Sequence, residues 1–241
     1  MPRRFLLRQP LGVSKVILTG GEAHHLTNVL RRQVGDEVLL FDGEGIEARA
    51  RIVSLESAGG GSVELEIISH GPAKTETRLP IILATAVPKG DRFEWLVEKA
   101  TELGVARIVP LLTERSIVNP GAGKLDKLRN AVIAASKQSG RSRLMEIETP
   151  LTWSEFLARE TGHGILCVAD PSGDPVGHLD WDTGKPIVIA IGPEGGLTER
   201  ELAAAVAAGA KLVSLGPRIL RIETAAVALA ALISIRLGDG S

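Results

Sequence analysis

Residues 79–87 (LPIILATAV) form a nearly continuous apolar run, the pattern of a central parallel strand covered on both faces. Shorter apolar segments at 107–112, 165–169, 186–191 and 211–215 alternate with stretches of helical spacing. Asp91 stands where it can cap a helix whose Phe93, Leu96, Val97, Ala100 and Leu103 share one face and which Gly104 ends. Residues 124–139 predict a second helix, with Leu125, Leu128, Val132 and Ala135 on its apolar side. Thr152-Trp153-Ser154-Glu155 and Thr198-Glu199-Arg200-Glu201 have capping-box spacing and open two more, the second ending near Gly209. Residues 224–237 predict the last. Strands alternating with helices call for an α/β domain: a mainly parallel sheet with helices on both faces.

The first 70 residues read differently, as a small β-rich unit. Residues 3–8 and 15–18 are short strand candidates, and Thr19-Gly20-Gly21-Glu22 has capping-box spacing for a helix through Arg32. On that helix Ala23, Leu26, Val29 and Leu30 share a face. Residues 37–41 and 46–53 flank the turn signal Asp42-Gly43-Glu44-Gly45, and 63–68 supply another strand. Several short strands with one helix predict a compact barrel. The polar segment 70–78 (HGPAKTETR) is the expected linker.

A length of 241 residues holds one large domain or two modest ones. The longest apolar run, 225–235, is too short to span a bilayer, so no membrane is expected. Met1-Pro2-Arg3-Arg4-Phe5 lacks the features of a signal peptide. The lone Cys167 fits a reducing compartment, so a cytoplasmic location is expected, and its apolar setting predicts a buried, inert thiol. The adjacent His24 and His25 diverge on a helix and have no third ligand at matching spacing, so no metal is expected.

A net charge of −1 excludes a polycation that coats nucleic acid, but its distribution is uneven. Residues 1–34 carry six Lys/Arg against Glu22 alone, and residues 115–145 carry seven (Lys124 among them) against Asp126 alone. Two separated basic segments suit a polyanionic partner. With no Tyr, four Phe and three Trp, base stacking on a sheet has little material, and contacts to backbone and folded shape suit RNA better.

Two loops follow strands where an open α/β sheet collects ligands. One is Ile191-Gly192-Pro193-Glu194-Gly195-Gly196-Leu197, and the other runs over 215–224 (LGPRILRIET). Glycines there admit positive φ and let backbone amides approach a ligand. Neither loop has the G-x-x-x-x-G-K-[ST] or G-x-G-x-x-G pattern, which argues against a triphosphate or a dinucleotide.

At these residues the chain resembles the RsmE family of ribosomal RNA uracil-N3 methyltransferases, within the SPOUT superfamily of trefoil-knotted methyltransferases. IGPEGGLTERE and LGPRILRIETAA match that family's C-terminal signatures. HHLTNVLRRQVGDEVLLFDGEG, PKGDRFEWLVEKATELGVARIVPLLTERS and ASKQSGR match in order before them.

The resemblance implies a PUA-like RNA-binding β-barrel over 1–72 and a SPOUT methyltransferase domain over 73–241. It implies S-adenosylmethionine as methyl donor, S-adenosylhomocysteine as product, and N3 of a uridine in 16S rRNA, free or within the assembled small ribosomal subunit, as target. Carried onto this chain, the donor site comprises Ala169, Ile191, Gly192, Pro193, Glu194, Gly195, Gly196, Leu215, Gly216, Ile219, Leu220, Arg221, Thr224 and Ala225. Ile219 and Leu220 would sandwich the adenine, while Thr224 either donates a hydrogen bond or caps the last helix. The N3 proton must leave, and Glu194 and Glu223 are candidate acceptors. Arg221 is a candidate to stabilise charge on a uracil carbonyl, and the sequence does not choose among the three. Arg3, Arg4, Arg8, Arg31, Arg32, Lys89, Arg92, Arg115, Gln138 and Arg141 are the candidate RNA contacts. The small-residue, apolar last helix suits the subunit interface of a homodimer. The alternatives are methylation of a ribose 2′-oxygen or of transfer RNA, and a non-catalytic RNA-binding assembly factor.

Overall fold

A computed structural model describes residues 3–56, 61–178, 181 and 184–238. Met1 and Pro2 of the N-terminal segment and the side chain of Lys124 lie outside this description. The chain divides into two compact units, one of residues 1–76 with 136–144, the other of residues 77–135 with 145–241.

In the first unit, β1 (Arg4–Leu6), β2 (Lys15–Thr19), β3 (Glu37–Phe41), β4 (Ile46–Glu56) and β5 (Ser62–Pro72) form one sheet in the order β1-β3-β4-β5-β2. Its β1–β3 pair is parallel and the rest antiparallel. Alternate residues Val16, Leu18, Val38, Leu40, Ala48, Ala50, Ile52, Val63 and Leu65 face inward to a core closed by Phe5, Ala23 and Leu26. Asp42 fixes the turn between β3 and β4, its Oδ1 accepting the N–H groups of Glu44, Gly45 and Ile46 at 2.7, 3.0 and 3.0 Å.

Two expectations fail in this unit. The helix after β2 is short: α1 (Gly20–His24) passes into a π-helical turn over His25–Val29, and Arg31 at φ 51° stops it. The wider turn moves the apolar stripe, so Ala23 and Leu26 are buried while Val29 is 59% exposed. Thr19 makes no side-chain cap, because Gly20 at φ 62° turns the backbone away from that geometry. The segment 70–78 is also not all linker, because β5 continues to Pro72.

Residues 136–144 join this unit through charge. Glu76 accepts from the Arg141 guanidinium (2.8 Å) and from the N–H groups of Ser142 (3.0 Å) and Arg143 (2.9 Å). Arg4 donates to Glu47, to the Arg141 carbonyl and to Ser142 Oγ, and lies over the Phe41 ring.

The second unit contains β6 (Ile81–Ala86), α2 (Arg92–Glu102), β7 (Arg107–Leu112), α3 (Ala122–Ser139, its end counted with the first unit), β8 (Glu146–Ile147), β9 (Leu151–Thr152), α4 (Trp153–Glu160), β10 (Ile165–Pro175), β11 (Ile187–Ile191), α5 (Glu199–Ala207), β12 (Lys211–Ser214) and α6 (Ile222–Gly238). Its sheet is parallel throughout, in the order β12-β10-β11-β6-β7-β8 with β9 also on β7. Strand β11 inserts between β10 and β6, both laid down earlier in the chain.

Both sheet faces are covered. Ile82, Ala84, Val109, Leu111, Leu166, Val168, Val188 and Ala190 pack on α4 and α5 through Trp153, Phe156, Leu157 and Ala205. Neighbours such as Leu83 and Ile189 point the other way, toward the face that α6 shares with α2. Both predicted capping boxes form, Thr152 with Glu155 and Thr198 with Glu201. Asp91 does not cap α2 with its side chain: its backbone is already helical (φ −81°, ψ −4°), which is the wrong geometry for an N-cap. Among the described residues no helix is long and apolar enough to cross a membrane.

Candidate active site

A cavity of about 280 Å³ opens at the carboxyl ends of β10, β11 and β12. The first wall is a bulge in β10. Both Ala169 and Asp174 pair with Val213, so residues 170–173 loop out. The bulge is possible because position 173 is glycine: a Cβ there would lie 2.4 Å from the Leu212 and Val213 backbone. It presents Ala169, Asp170 and Pro171 to the cavity, and Asp170 accepts from the Ser172 N–H and hydroxyl at 2.9 and 2.6 Å.

The second wall is the loop 192–197. Gly196 at φ 71° bends it, and its N–H returns to the Pro193 carbonyl at 2.8 Å. Gly192 sits against Leu197 so closely that a Cβ would come within 3.0 Å of Leu197 Cγ. Arg115 braces the loop from the end of β7, donating to the Gly195 carbonyl at 2.6 Å. Below it, Glu201 accepts from the Thr198 N–H and, with its other oxygen, from the Glu114 N–H, both at 2.8 Å.

The third wall runs from Val213 through Gly216, Arg218, Ile219 and Leu220 to Ile222 and Ala225 at the start of α6. Ile219 is 90% exposed, an aliphatic side chain held in solvent at the cavity rim.

Of the predicted donor-site residues, Ala169, Ile191, Gly192, Pro193, Glu194, Gly195, Gly196, Leu215, Gly216, Ile219, Leu220 and Ala225 line this one cavity. Arg221 and Thr224 do not line it and are exposed. Because α6 begins at Ile222, Thr224 lies within the first turn and is not at a cap position. The sequence reading missed Asp170, Pro171, Leu197, Val213, Ser214, Arg218 and Ile222. The Asp-Pro pair directly after the 165–169 run was the readable signal, since it sits at a strand's carboxyl end.

The three candidate catalytic groups separate clearly. Glu194 is exposed on the cavity wall. Arg221 is exposed and uses its carbonyl to accept the Ala225 N–H. Glu223 is 7% exposed, its Oε1 paired with Arg92 Nη1 at 3.4 Å, while its buried Oε2 has no partner among the described residues. A buried polar atom left without a partner costs about 1–3 kcal/mol.

The RNA candidates are equally uneven. Arg3, Arg8, Arg31, Lys89, Arg115 and Gln138 are exposed, and Arg32 and Arg92 are half-buried. Arg4 and Arg141 are consumed by the internal network of the first unit, Arg141 being 2% exposed. Arg115 is exposed yet committed to the Gly195 carbonyl. Among the described residues no three His, Cys, Asp or Glu side chains form a metal-binding group. His24 Nδ1 instead meets Asn28 Nδ2 at 2.8 Å, and burial pushes the Cys167 thiol up to about 12.

Residues 75–234 match the family model of an RNA methyltransferase domain, and residues 18–68 match that of an RNA methyltransferase PUA domain. The ribosomal RNA small subunit methyltransferase E of a Synechocystis strain is 40% identical over 221 residues, covering 89% of this chain and 71% of the relative. The protein of that name from Bacillus subtilis is 31% identical, covering 86% and 85%. The crystal structure of ribosomal RNA small subunit methyltransferase E from Neisseria gonorrhoeae, bound to S-adenosyl methionine, superposes with a TM-score of 0.89 at 33% identity over both full chains. The SPOUT-type fold class with a PUA-like N-terminal unit is therefore the one observed. Motifs, cavity and relatives agree: this chain belongs to the family of ribosomal RNA small subunit methyltransferases E.

Proposed function

We propose that this protein transfers a methyl group from S-adenosylmethionine to N3 of a uridine in 16S rRNA. The observation that carries the proposal is the cavity at the ends of β10, β11 and β12, walled by two glycine loops and aliphatic side chains. Its chemistry suits that donor. Adenosine needs flat apolar walls and backbone hydrogen bonds, and Leu197, Ile219, Leu220 and Ile222 supply the walls. Asp170 and Glu194 place two carboxylates beside a ligand that carries a sulfonium and an ammonium. A phosphate ligand would meet those same carboxylates unfavourably.

When bound, the donor supplies an electrophilic methyl carbon. The chain's own work is to fix that carbon opposite the uracil nitrogen and exclude water. Ile219 and Leu220 would hold the adenine, and the backbone of Gly192, Gly196 and Leu215 would supply hydrogen bonds to its edge. A PUA-like domain over residues 1–72, with the exposed Arg3, Arg8 and Arg31 on it and Lys89 beyond it, holds the RNA through its phosphates. Arg4 and Arg141 are left out of that set, because their guanidinium groups are already spent on Glu47 and Glu76.

A homodimer is part of the proposal. The side of α6 that is not buried carries the half-buried Val227, Ala228, Ala231 and Leu232 and the 65% exposed Ile235, a continuous apolar stripe.

Purified protein incubated with labelled S-adenosylmethionine and small subunits from a strain lacking the enzyme tests this reading. Digestion and mass spectrometry are expected to find 3-methyluridine. Label on a ribose or in transfer RNA would overturn the target while keeping the class. Absence of donor binding would leave the RNA-binding assembly factor.

A further inference from the structure

Three charged groups near the cavity invite a role: Glu194 on the wall, Arg115 behind the 192–197 loop, and the Arg92–Glu223 pair at the base of α6. The last has the most unusual chemistry. Glu223 lies in the first turn of α6, between the cavity-lining Ile222 and Ala225, where the positive end of a helix favours a carboxylate. The carboxylate is nonetheless buried with one oxygen unpartnered among the described residues. Arg92 opens α2, just beyond the carboxyl end of β6. Its Nε donates to the Lys89 carbonyl at 3.2 Å and its Nη1 to Glu223 Oε1 at 3.4 Å. The guanidinium is thus held from two sides, while its side chain stays 37% exposed and Nη2 makes no hydrogen bond among the described residues.

We infer that Arg92 is a catalytic residue that donates through Nη2 to a uracil carbonyl beside N3, and that Glu223 is the positioning residue that aims it. This rests on the uracil-N3 reading above and assigns the electrostatic part of that reaction. The N3 proton leaves to bulk water as the uracil enters, before the site excludes solvent, and the charge left on the ring spreads to the flanking carbonyl oxygens, where a fixed guanidinium stabilises it. The N3–C bond then forms as the C–S bond breaks, with the C–S electron pair staying on sulfur. A planar guanidinium held by two partners is already oriented for this, which a lysine at the same place is not. The buried Oε2 supplies a second acceptor, so a small approach of Arg92 turns a long single contact into a two-point clasp. Like Arg92, Arg221 does not line the cavity, but its exposed guanidinium has no hydrogen-bond partner among the described residues to orient it.

The test compares Arg92→Gln, Arg92→Lys, Glu223→Gln and the double glutamine variant with wild type. Steady-state methylation of small subunits is read beside calorimetric binding of S-adenosylmethionine and filter binding of RNA. Arg92→Gln is expected to lower kcat about 100-fold at saturating substrates. Both Kd values are expected to stay within about threefold, since the lost interaction belongs to the transition state. Arg92→Lys, which keeps the charge and reads the same point should the glutamine variant unfold, is expected to stay at least about tenfold down. Glu223→Gln is expected to lose about tenfold in kcat, and the double variant to be no slower than Arg92→Gln alone, because a positioning residue acts only through its partner. Unchanged kcat with raised RNA KM would make Arg92 a phosphate contact and overturn the inference. Parallel loss of donor affinity would overturn it too, by making the pair a support of the donor site. Additive losses in the double variant would overturn the role of Glu223. A wild-type protein that binds RNA and donor but forms no 3-methyluridine would overturn the functional reading itself, and this inference with it.

Discussion

The two glycine loops that wall the cavity differ in how much of their shape they carry themselves. Loop 192–197 is braced by the Arg115 guanidinium, by its own Gly196-to-Pro193 hydrogen bond, by Leu197 against Gly192, and by the capping box of Thr198 and Glu201. Loop 215–221 is lighter: Gly216 donates to Ser214 Oγ at 3.3 Å, and Ile219 stands almost wholly in solvent. One wall is held by several contacts of its own, whereas the other leaves apolar surface in solvent. On the proposed function, the braced wall sets specificity and the lighter wall closes over the bound donor.

Substitutions should separate the walls. The largest effect is expected for Gly192→Val, whose side chain has no room beside Leu197. Overpacking of this kind costs about 1–3 kcal/mol. Up to about a hundredfold loss of S-adenosylmethionine affinity by calorimetry should follow. Glu201→Ala comes next, removing the carboxylate half of the α5 capping box, which accepts the Thr198 N–H, and the acceptor of the Glu114 N–H together. A stability loss of about 2 kcal/mol in urea denaturation is expected. An unchanged midpoint would show that the braced wall does not depend on its base.

Ile219→Ala is the opposite case. The side chain is exposed, so Tm should not move, yet losing about 1.5 kcal/mol of apolar contact should weaken donor binding roughly tenfold. A fall in Tm instead would mean that the lighter wall is packed without ligand. Arg115→Ala should cost about 1 kcal/mol, or about fivefold in donor affinity, by freeing the Gly195 carbonyl. Smallest is the effect of Cys167 on β10, which leads into the first wall. Its folded-state thiol is raised from 9.0 to about 12, so the stability it contributes is fully present below pH 9 and declines as pH rises toward 12. At pH 8 the native protein should resist thiol alkylation and the urea-unfolded protein should react.

Much of the second unit was legible in the chain. The 79–87 run, the heptad-like faces of α2 and α3 and the capping boxes of α4 and α5 all specify local structure through nearest neighbours in sequence. The first helix was misread for a reason of the same local kind. Thr19 and Glu22 have capping-box spacing, but Gly20 takes a positive φ, and spacing does not reveal φ. The bulge at 170–173 was invisible because it exists only opposite Leu212 and Val213, four decades of residues away. Asp170 was missed with it, although its place at a strand's carboxyl end was readable.

By itself, the sequence determined the element types, the parallel sheet, the two glycine loops, and the family resemblance that named donor and target. Those follow from periodicity, glycine placement and ordered motifs, all written along the chain. Only the tertiary structure decided that β11 inserts between β10 and β6, so that three strand ends meet around one cavity. It also decided which charges are free to act, burying Arg141 and Arg4 among partners and setting Arg92 beside Glu223. A side chain's charge is a property of its residue type. Its availability depends on desolvation and on partners brought from far along the chain, and no local pattern encodes those.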